Sequence, residues 1–258
     1  MILTLLTDFG LSDSYVGVMK GTIAGINPAL HVIDLTHQIP PQDIAMARFQ
    51  LMSAYPYFPS GTVHVAVVDP GVGSSRRSIA IQCESGFLVG ADNGLFSGVL
   101  SQTSAIAAVE LTNSNYWRTS TPSNTFHGRD IFAPVGAHLA SGVAIEELGD
   151  AIAIDTLVQL PIPEVVSTPM GVQGVVQAID HFGNLITTIE GQHVRDRNWS
   201  VECNLKRYPG QQTYADAAPG EMIGLVGSHG WVEIAVNRGH AQAQLGLVVG
   251  SPVRVRFA

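Results

Sequence analysis

The chain has 258 residues, of which 46% are hydrophobic and 13% charged, and its formal net charge is −8. This apolar content is enough for one large or two moderate folded domains and gives little sign of disorder. The acidic balance argues against a nucleic-acid partner, which requires a basic face. The sequence has no run of about 18 apolar residues, so no membrane span is predicted.

The two cysteines, Cys83 and Cys203, lie far apart and show no metal-ligand spacing. Isolated cysteines of this kind are typical of reduced, buried thiols in a cytoplasmic protein. The N-terminal segment MILTLLTDFG is apolar, but it lacks basic residues and reaches Asp8 too early for a signal peptide. We therefore expect a cytoplasmic location.

The first 160 residues alternate between strand and helix patterns. A strand over 2–8 precedes a helix that begins at Ser12 or Asp13 and ends at Asn27-Pro28. The remaining predicted elements are strands over 31–37, 62–69 and 105–112, a helix after Pro41, a hairpin over 78–91 and a helix over 129–141. Such alternation predicts an α/β domain whose mostly parallel sheet carries helices on both faces.

The pattern changes near residue 160. Residues 161–171 contain three prolines in PIPEVVSTPMG and are predicted to be a linker. Short strands divided by Gly-rich turns follow, over 172–180, 185–191, 221–228, 231–237 and 251–257, and no helix is expected among them. Residues 172–258 are therefore predicted to form a smaller antiparallel, barrel-like β-domain.

Two aspartates follow predicted parallel strands, Asp8 after the first and Asp69 after the third. Ligands of open α/β sheets bind beyond the carboxyl ends of the strands, so the pair favours a cleft, although either could cap a turn. The Pro70-Gly71 reversal is expected to bring Arg76 beside Asp69, where it would keep the carboxylate ionised and oriented. Arg77 is interpreted as a solvated or ion-paired neighbour.

His127 precedes the predicted helix over 129–141, so it could touch a ligand or have a purely structural role. The sequence contains no HExxH, no Cys/His pair and no GxSxG motif, and we therefore expect neither a metal site nor a serine nucleophile. The motifs GxGxxG and GxxxxGK[ST] are also missing, which leaves dinucleotide and nucleoside triphosphate binding without support.

Two turns in the C-terminal half carry polar and aromatic side chains. Asp180, Phe182 and Asn184 surround a turn at Gly183, and such a set can sandwich and hydrogen-bond a purine or simply plug a hairpin. The GSHG turn over 227–230 presents consecutive backbone N–H groups, a small anion-binding nest or an ordinary hairpin turn.

Five stretches together resemble one family: TDFG, VVDPGVG with Arg76, FHGRDIFAP, DHFGN and SHGWVEIAVN. They are similar to the S-adenosylmethionine (SAM) hydroxide adenosyltransferases, the adenosine-forming SAM hydrolases related to fluorinase and chlorinase. The likeness runs in order along essentially the whole chain. It implies an N-terminal α/β domain, a C-terminal β-barrel-like domain, and a homotrimer whose active site lies between subunits.

The resemblance also assigns roles by motif position. The catalytic set is Asp69, Arg76 and His127, and because the halogenating relatives lack this aspartate and histidine, water is the expected nucleophile. The substrate-binding set is Asp8 and Thr125 for ribose, Asp180 and Ser228 for the methionine end, Phe182 and Asn184 for adenine, together with His229 and Asn237. Two departures are His229, where fluorinase has arginine, and Ile186, where it has an aromatic residue.

The implied reaction is an in-line attack of water on ribose C5′ of SAM that forms adenosine and methionine, with no metal and no cofactor. Either Asp69 or His127 could take the proton. The rival interpretations are a SAM-dependent halogenase, a non-catalytic SAM or adenosine sensor, and an unrelated small-molecule hydrolase.

Overall fold

The computed structural model describes all residues from Met1 to Ala258. The chain folds into two compact units, an N-terminal unit of Met1–Leu160 and a C-terminal unit of Pro161–Ala258. None of the helices has the length and apolar character needed to cross a membrane.

The N-terminal unit is built on a seven-stranded sheet with the order β2-β1-β3-β5-β4-β6-β7. Its strands are β1 (Ile2–Thr7), β2 (His31–Thr36), β3 (Thr62–Val67), β4 (Ser78–Cys83), β5 (Gly86–Ala91), β6 (Ala105–Glu110) and β7 (Asp150–Ala151). The β1, β2, β3 and β5 pairings are parallel, whereas β4 and β7 run against their neighbours. Five strands therefore share one direction, which confirms the mostly parallel sheet.

Helices cover both faces of this sheet, as predicted. They are α1 (Tyr15–Ile26), α2 (Ile44–Ala54), α3 (Ser97–Leu100) and α4 (Ala133–Ala140). Residues of α1 and α4 pack with Leu3 and Leu5 of β1 in one buried cluster. Residues of α2 and α3 pack with Leu6 in a second cluster. Successive β1 side chains thus serve opposite cores, which explains why the strand is apolar throughout.

The helix starts differ from the predictions in two places. Helix α1 begins at Tyr15 after Ser14, whose side chain makes no capping hydrogen bond, so Ser12 and Asp13 do not cap it. The predicted helix over 129–141 opens with a π-helical turn over Gly128–Phe132 that follows His127 and leads directly into α4. Such turns are rare and occur frequently at functional sites.

The C-terminal unit is an antiparallel sheet that curls into a nearly closed barrel, in agreement with the prediction. Its strands are β8 (Val166–Thr168), β9 (Gly171–Ile179), β10 (Leu185–Glu190), β11 (Trp199–Cys203), β12 (Lys206–Pro209), β13 (Met222–Val226), β14 (Trp231–Val236) and β15 (Pro252–Phe257). The order is β12-β11-β15-β9-β10-β14-β13, with β8 on β9. A bridge between Gly210 and Gly224 joins the two ends.

One expectation for this unit was wrong, because it contains a helix. Helix α5 (Ala241–Leu245) is a single turn that His240 caps by accepting a hydrogen bond from Ala243 N, and it ends at Gly246 in the left-handed region. Five residues are too few to produce a helical period in the sequence. Strands β11 and β12 were also not foreseen, and β8 lies within the predicted linker.

Candidate active site

The carboxyl ends of two neighbouring strands open onto a cavity of about 420 Å³ in the N-terminal unit. Strands β1 and β3 are adjacent and parallel, and Asp8 and Asp69 follow them directly. Both aspartates line the cavity, together with Thr125 and His127. The sheet topology therefore brings Asp8 and Asp69 together, and the loop before α4 adds Thr125 and His127 at the same cavity.

Arg76 holds the Asp69 carboxylate from one side. Its Nε lies 3.0 Å from each carboxylate oxygen of Asp69, and its Nη2 lies 2.6 Å from Oδ2. Both side chains are nearly buried, with 11% of Arg76 and 5% of Asp69 exposed. Nη1 of the same guanidinium donates to Ser78 Oγ at 2.7 Å. A planar guanidinium anchored at three points fixes the direction of the carboxylate.

The same guanidinium determines which His127 nitrogen carries the proton. Arg76 Nη2 lies 2.6 Å from His127 Nδ1. Arginine can only donate, so Nδ1 must accept, and in the neutral ring the proton then lies on Nε2. Burial lowers the pKa of His127, and the Arg76 charge lowers it further against the opposing effects of Asp69 and Asp130. His127 is therefore a neutral donor at Nε2.

A buried aspartate anchors the loop that carries Thr125 and His127. The Asp130 side chain is 0% exposed, and it accepts from Arg118 Nε at 2.5 Å, Arg129 Nε at 2.7 Å and Ser123 N at 2.8 Å. Burial alone would raise the pKa of Asp130, but the hydrogen bonds from Arg129, Ser123 and Arg118 prevail and lower it well below its usual range.

A glycine lets the loop after β3 approach the loop that bears His127. Gly73 has φ of +79°, and a Cβ atom there would lie 2.6 Å from the backbone oxygen of Asn124. Only glycine permits both this left-handed backbone and this close approach. The loop after β3, which bears Asp69 and Arg76, thereby packs on the loop that bears His127.

The cavity wall includes residues that the sequence did not single out. Phe9, Tyr15 and Phe126 form an edge-on aromatic cluster with ring centroids 5.2–5.8 Å apart. Asp8 Oδ2 accepts from the backbone N–H of Gln42 at 2.8 Å, and Gln42 has φ of +68°. Non-glycine residues with positive φ are uncommon and cluster at functional sites. The aromatic cluster joins the stretch from the end of β1 to the start of α1 to the distant loop that bears Phe126, so no local pattern could reveal it.

Arg77 contributes to the scaffold, as predicted. Its guanidinium pairs with Asp92 Oδ2 at 2.5 Å and donates to Thr156. The two neighbouring arginines thus point to different partners.

The two cysteines are buried free thiols, and burial raises the pKa of each to about 11. Nowhere do three or more His, Cys, Asp or Glu side chains group as metal ligands would.

In the C-terminal unit, Asp180 organises the turn before β10. Its Oδ1 accepts from the backbone N–H groups of Phe182 at 2.9 Å and Asn184 at 2.8 Å, and its Oδ2 accepts from the Asn184 side-chain amide at 2.9 Å. Phe182 is 70% exposed. The turn thus presents a fixed carboxylate and an exposed aromatic ring, while Ile186 points into the core at 3% exposure.

The GSHG turn joins β13 to β14 and leaves Ser228 exposed at its tip. His229 is engaged inside the unit, since its Nε2 lies 3.0 Å from Glu233 Oε2 and its Nδ1 accepts from Trp231 N at 3.1 Å. Asn237, at the other end of β14, donates its side-chain amide to Ala217 O at 2.7 Å. The predicted substrate contacts of His229 and Asn237 stay predictions.

The fold and the site together define a two-domain protein with a preorganised carboxylate–guanidinium–imidazole set beside a nucleoside-sized cavity. Residues 3–149 match the model of the SAM hydroxide adenosyltransferase N-terminal domain, and residues 174–254 match that of the C-terminal domain. The chain belongs to this family, as its motifs predicted.

Named relatives agree with this assignment. The (R)-S-adenosyl-L-methionine hydrolase of Salinispora tropica is 42% identical over 96% of this chain and 95% of its own length. A crystal structure of an uncharacterized conserved protein from Thermotoga maritima superposes with a TM-score of 0.93 at 35% identity, covering 99% of this chain and all of that one. A fluorinase from Actinopolyspora mzabensis is more distant, at 27% identity over 98% of this chain and 96% of its own.

Proposed function

We propose that this protein is an enzyme that hydrolyses SAM to adenosine and L-methionine. The observation that carries the proposal is the convergence of Asp69, Arg76 and His127 at the wall of one cavity. The family membership and the names of the 40–42% identical relatives support the same reaction.

The reaction is a displacement at ribose C5′. The oxygen of water forms a bond to C5′ while the C5′–S bond breaks, and the bonding pair leaves with sulfur as neutral methionine. A sulfonium is already a good leaving group, so no general acid is needed. Water is the weak partner, and holding it in line contributes up to about 7–11 kcal/mol in ideal cases.

We propose different roles for Asp69 and His127, and their hydrogen-bond pattern supports this division. His127 donates a hydrogen bond from Nε2 to the water oxygen. Nε2 cannot also accept a proton, because it already carries one while Nδ1 accepts the hydrogen bond from Arg76. The proton released from the attacking water therefore goes to a carboxylate oxygen of Asp69. A positioned base contributes about 10²–10⁴-fold. Arg76 fixes both groups and stabilises the negative charge that develops on the oxygen.

The other predicted residues hold the substrate. Asp8 and Thr125 line the cavity and are proposed to hold the ribose, since a carboxylate is suited to accept hydrogen bonds from two hydroxyls. Asp180 and Ser228 take the methionine end, and Phe182 and Asn184 take adenine. His229 and Asn237 complete the predicted set, and the two ring nitrogens of His229 are engaged with Glu233 and Trp231. SAM is the substrate in this scheme, and no step of the scheme is assigned to a metal or a cofactor.

We also propose a homotrimer whose active site combines the N-terminal unit of one subunit with the C-terminal unit of a neighbour, as the family resemblance implies. A cytoplasmic location is proposed from the two isolated thiols. Light scattering after size exclusion tests the trimer directly, since a monomeric, fully active enzyme would contradict it.

The central test is turnover in ¹⁸O-water with SAM, followed by mass spectrometry. The expected products are methionine and adenosine with the label on the 5′-oxygen. A parallel incubation with chloride should give no 5′-chloro-5′-deoxyadenosine. Formation of the chlorinated nucleoside, or unlabelled adenosine, would overturn the proposal, and binding of SAM with no product after long incubation would indicate a sensor.

A further inference from the structure

A carboxylate lies buried in the middle of β14, away from the cluster of Asp69. Glu233 is 2% exposed, and no lysine or arginine forms an ion pair with it. Tyr214 Oη donates to its Oε1 at 2.5 Å, and His229 Nε2 lies 3.0 Å from its Oε2. Burying a carboxylate is costly unless its oxygens receive hydrogen bonds, and here each oxygen receives one.

Each hydrogen bond around Glu233 pairs one donor with one acceptor. The backbone N–H of Trp231 donates to His229 Nδ1, so the proton of the neutral ring lies on Nε2 and is directed at Glu233. Burial raises the pKa of Tyr214, and its hydrogen bond to Glu233 raises it further, so the hydroxyl keeps its proton. The Asn184 amide reaches Tyr214 Oη at 3.5 Å.

The strand register explains why the position of Glu233 matters. Glu233 pairs with Ile186 on β10 and with Leu225 on β13, on opposite sides of β14. Strand β10 begins directly after the turn of Asp180 and Asn184, and β13 ends directly before the GSHG turn. Glu233 therefore lies between the two strands that carry the predicted substrate-binding turns, and its partners extend toward both turns.

The residue at the start of the GSHG turn leaves space for this arrangement. A Cβ atom at Gly227 would lie 2.4 Å from Glu233 Oε2 and 2.5 Å from His229 Nε2. Any other residue would displace the bond between Glu233 and His229. The close packing of Glu233 and His229 therefore requires a glycine at position 227.

We propose that Glu233 and Tyr214 are positioning residues, a hydrogen-bonded bridge that holds the Asp180–Asn184 turn and the GSHG turn in register for the two ends of SAM. This inference rests on the proposed function, since it takes both turns as substrate contacts. Neither residue touches the reacting atoms. Removing the bridge weakens ground-state and transition-state binding alike, which raises KM and leaves kcat nearly unchanged.

The test is a double-mutant cycle with Glu233→Gln, Tyr214→Phe and the double variant, measured as kcat and KM for SAM. Each single change is expected to raise KM by about fivefold to tenfold. Because both changes interrupt the same chain of hydrogen bonds from Asn184 through Tyr214 and Glu233 to His229, the double variant should stay within about twofold of the larger single effect. Tyr208→Phe removes another hydroxyl from the same unit and should leave KM unchanged.

Other outcomes overturn the inference. A fall in kcat or in active fraction at constant KM, or additive effects on KM, would show independent structural roles. Unchanged KM in both single variants would exclude the bridge. If the wild-type protein forms no adenosine, the proposed function fails instead, and the same cycle is then measured as the Kd of SAM by calorimetry. Wild-type protein that does not bind SAM at all would refute both.

Discussion

Two histidines in this molecule share one hydrogen-bonding pattern and differ in what lies at the other end of the ring. His127 and His229 both accept at Nδ1, from Arg76 and from the Trp231 backbone respectively. Nε2 of His229 is directed at Glu233, whereas no side chain of the protein bonds to Nε2 of His127, which lines the cavity. The same tautomer is thus satisfied in one place and available to a ligand in the other.

The two carboxylates beside these rings differ in the same way. Asp69 and Glu233 are both nearly buried. Asp69 accepts from a guanidinium and lines the cavity, while Glu233 accepts from Tyr214 and His229 and does not line that cavity. Burial by itself therefore does not distinguish a reactive carboxylate from a positioning one. The charge of the partner and the open space beside the carboxylate make the distinction, and the following changes test it.

The largest expected effect is that of Asp69→Ala. We expect adenosine formation to fall by about 10²–10⁴-fold, because the proton acceptor and one ligand of the water are lost. SAM should still bind in calorimetry. Asp92→Ala breaks the neighbouring pair with Arg77, which lines no part of the cavity, and the folded fraction of that variant should retain its turnover. Equal losses in both variants would contradict the distinction.

The next largest effect is expected for His127→Asn. Asparagine keeps an acceptor for Arg76 near the position of Nδ1 but removes the Nε2 donor, so kcat should fall by about 10²-fold with KM little changed. His229→Asn should give the reverse, a higher KM at nearly constant kcat. Steady-state kinetics on both variants decides the matter, and similar behaviour of the two would count against the separate roles.

Asp130→Asn should lower the free energy of unfolding by about 2 kcal/mol at pH 7, because three donors lose a buried charged acceptor. The pKa of Asp130 is lowered on folding, so its contribution is present above the ordinary carboxyl range and is lost as the pH falls below about 4. Urea unfolding of the wild type and the variant at several pH values measures this contribution of Asp130 to the free energy of unfolding. Lys20→Gln, which removes only the exposed pair of Lys20 with Asp34, should change stability by less than about 1 kcal/mol.

Phe182→Ala is expected to weaken the binding of both SAM and adenosine by about tenfold, since stacking of a base on an aromatic ring contributes about 1–3 kcal/mol. Calorimetric Kd values test this expectation. Because Phe182 is 70% exposed, the thermal stability of the variant protein should equal that of the wild type. Tyr57→Ala, at a 76% exposed aromatic of the N-terminal unit, is the matched control. Loss of SAM binding without loss of adenosine binding would remove Phe182 from the adenine site.

The smallest effect is expected in the pH profile of kcat/KM. The pKa of His127 is lowered from 6.5 by burial and by Arg76, so the neutral, active ring persists throughout the neutral range. Activity governed by His127 should therefore be level above pH 6.5 and decline only below it, as the ring becomes protonated and repels Arg76. An acidic limb above pH 6.5 that disappears in His127→Asn would contradict this tautomer assignment.

Much of the site could be predicted because its residues follow strands. Asp8 and Asp69 come directly after β1 and β3, and parallel strands end at a common edge. The Pro-Gly reversal likewise predicted that Arg76 would lie beside Asp69. The aromatic cluster of Phe9, Tyr15 and Phe126 and the role of Gln42 could not be foreseen, because each depends on segments that meet only in the folded chain.

The amino-acid sequence by itself determined the alternation of strands and helices, the change to β-structure near residue 160, and the order of family motifs. These properties are local, since periodicity and turn residues express backbone preferences within a few neighbours. Only the tertiary structure decided which ring nitrogen of His127 carries the proton and that Tyr214, Glu233 and His229 form one hydrogen-bonded network. Donor and acceptor assignments depend on atoms from distant segments within hydrogen-bond distance, and no spacing along the chain encodes that distance.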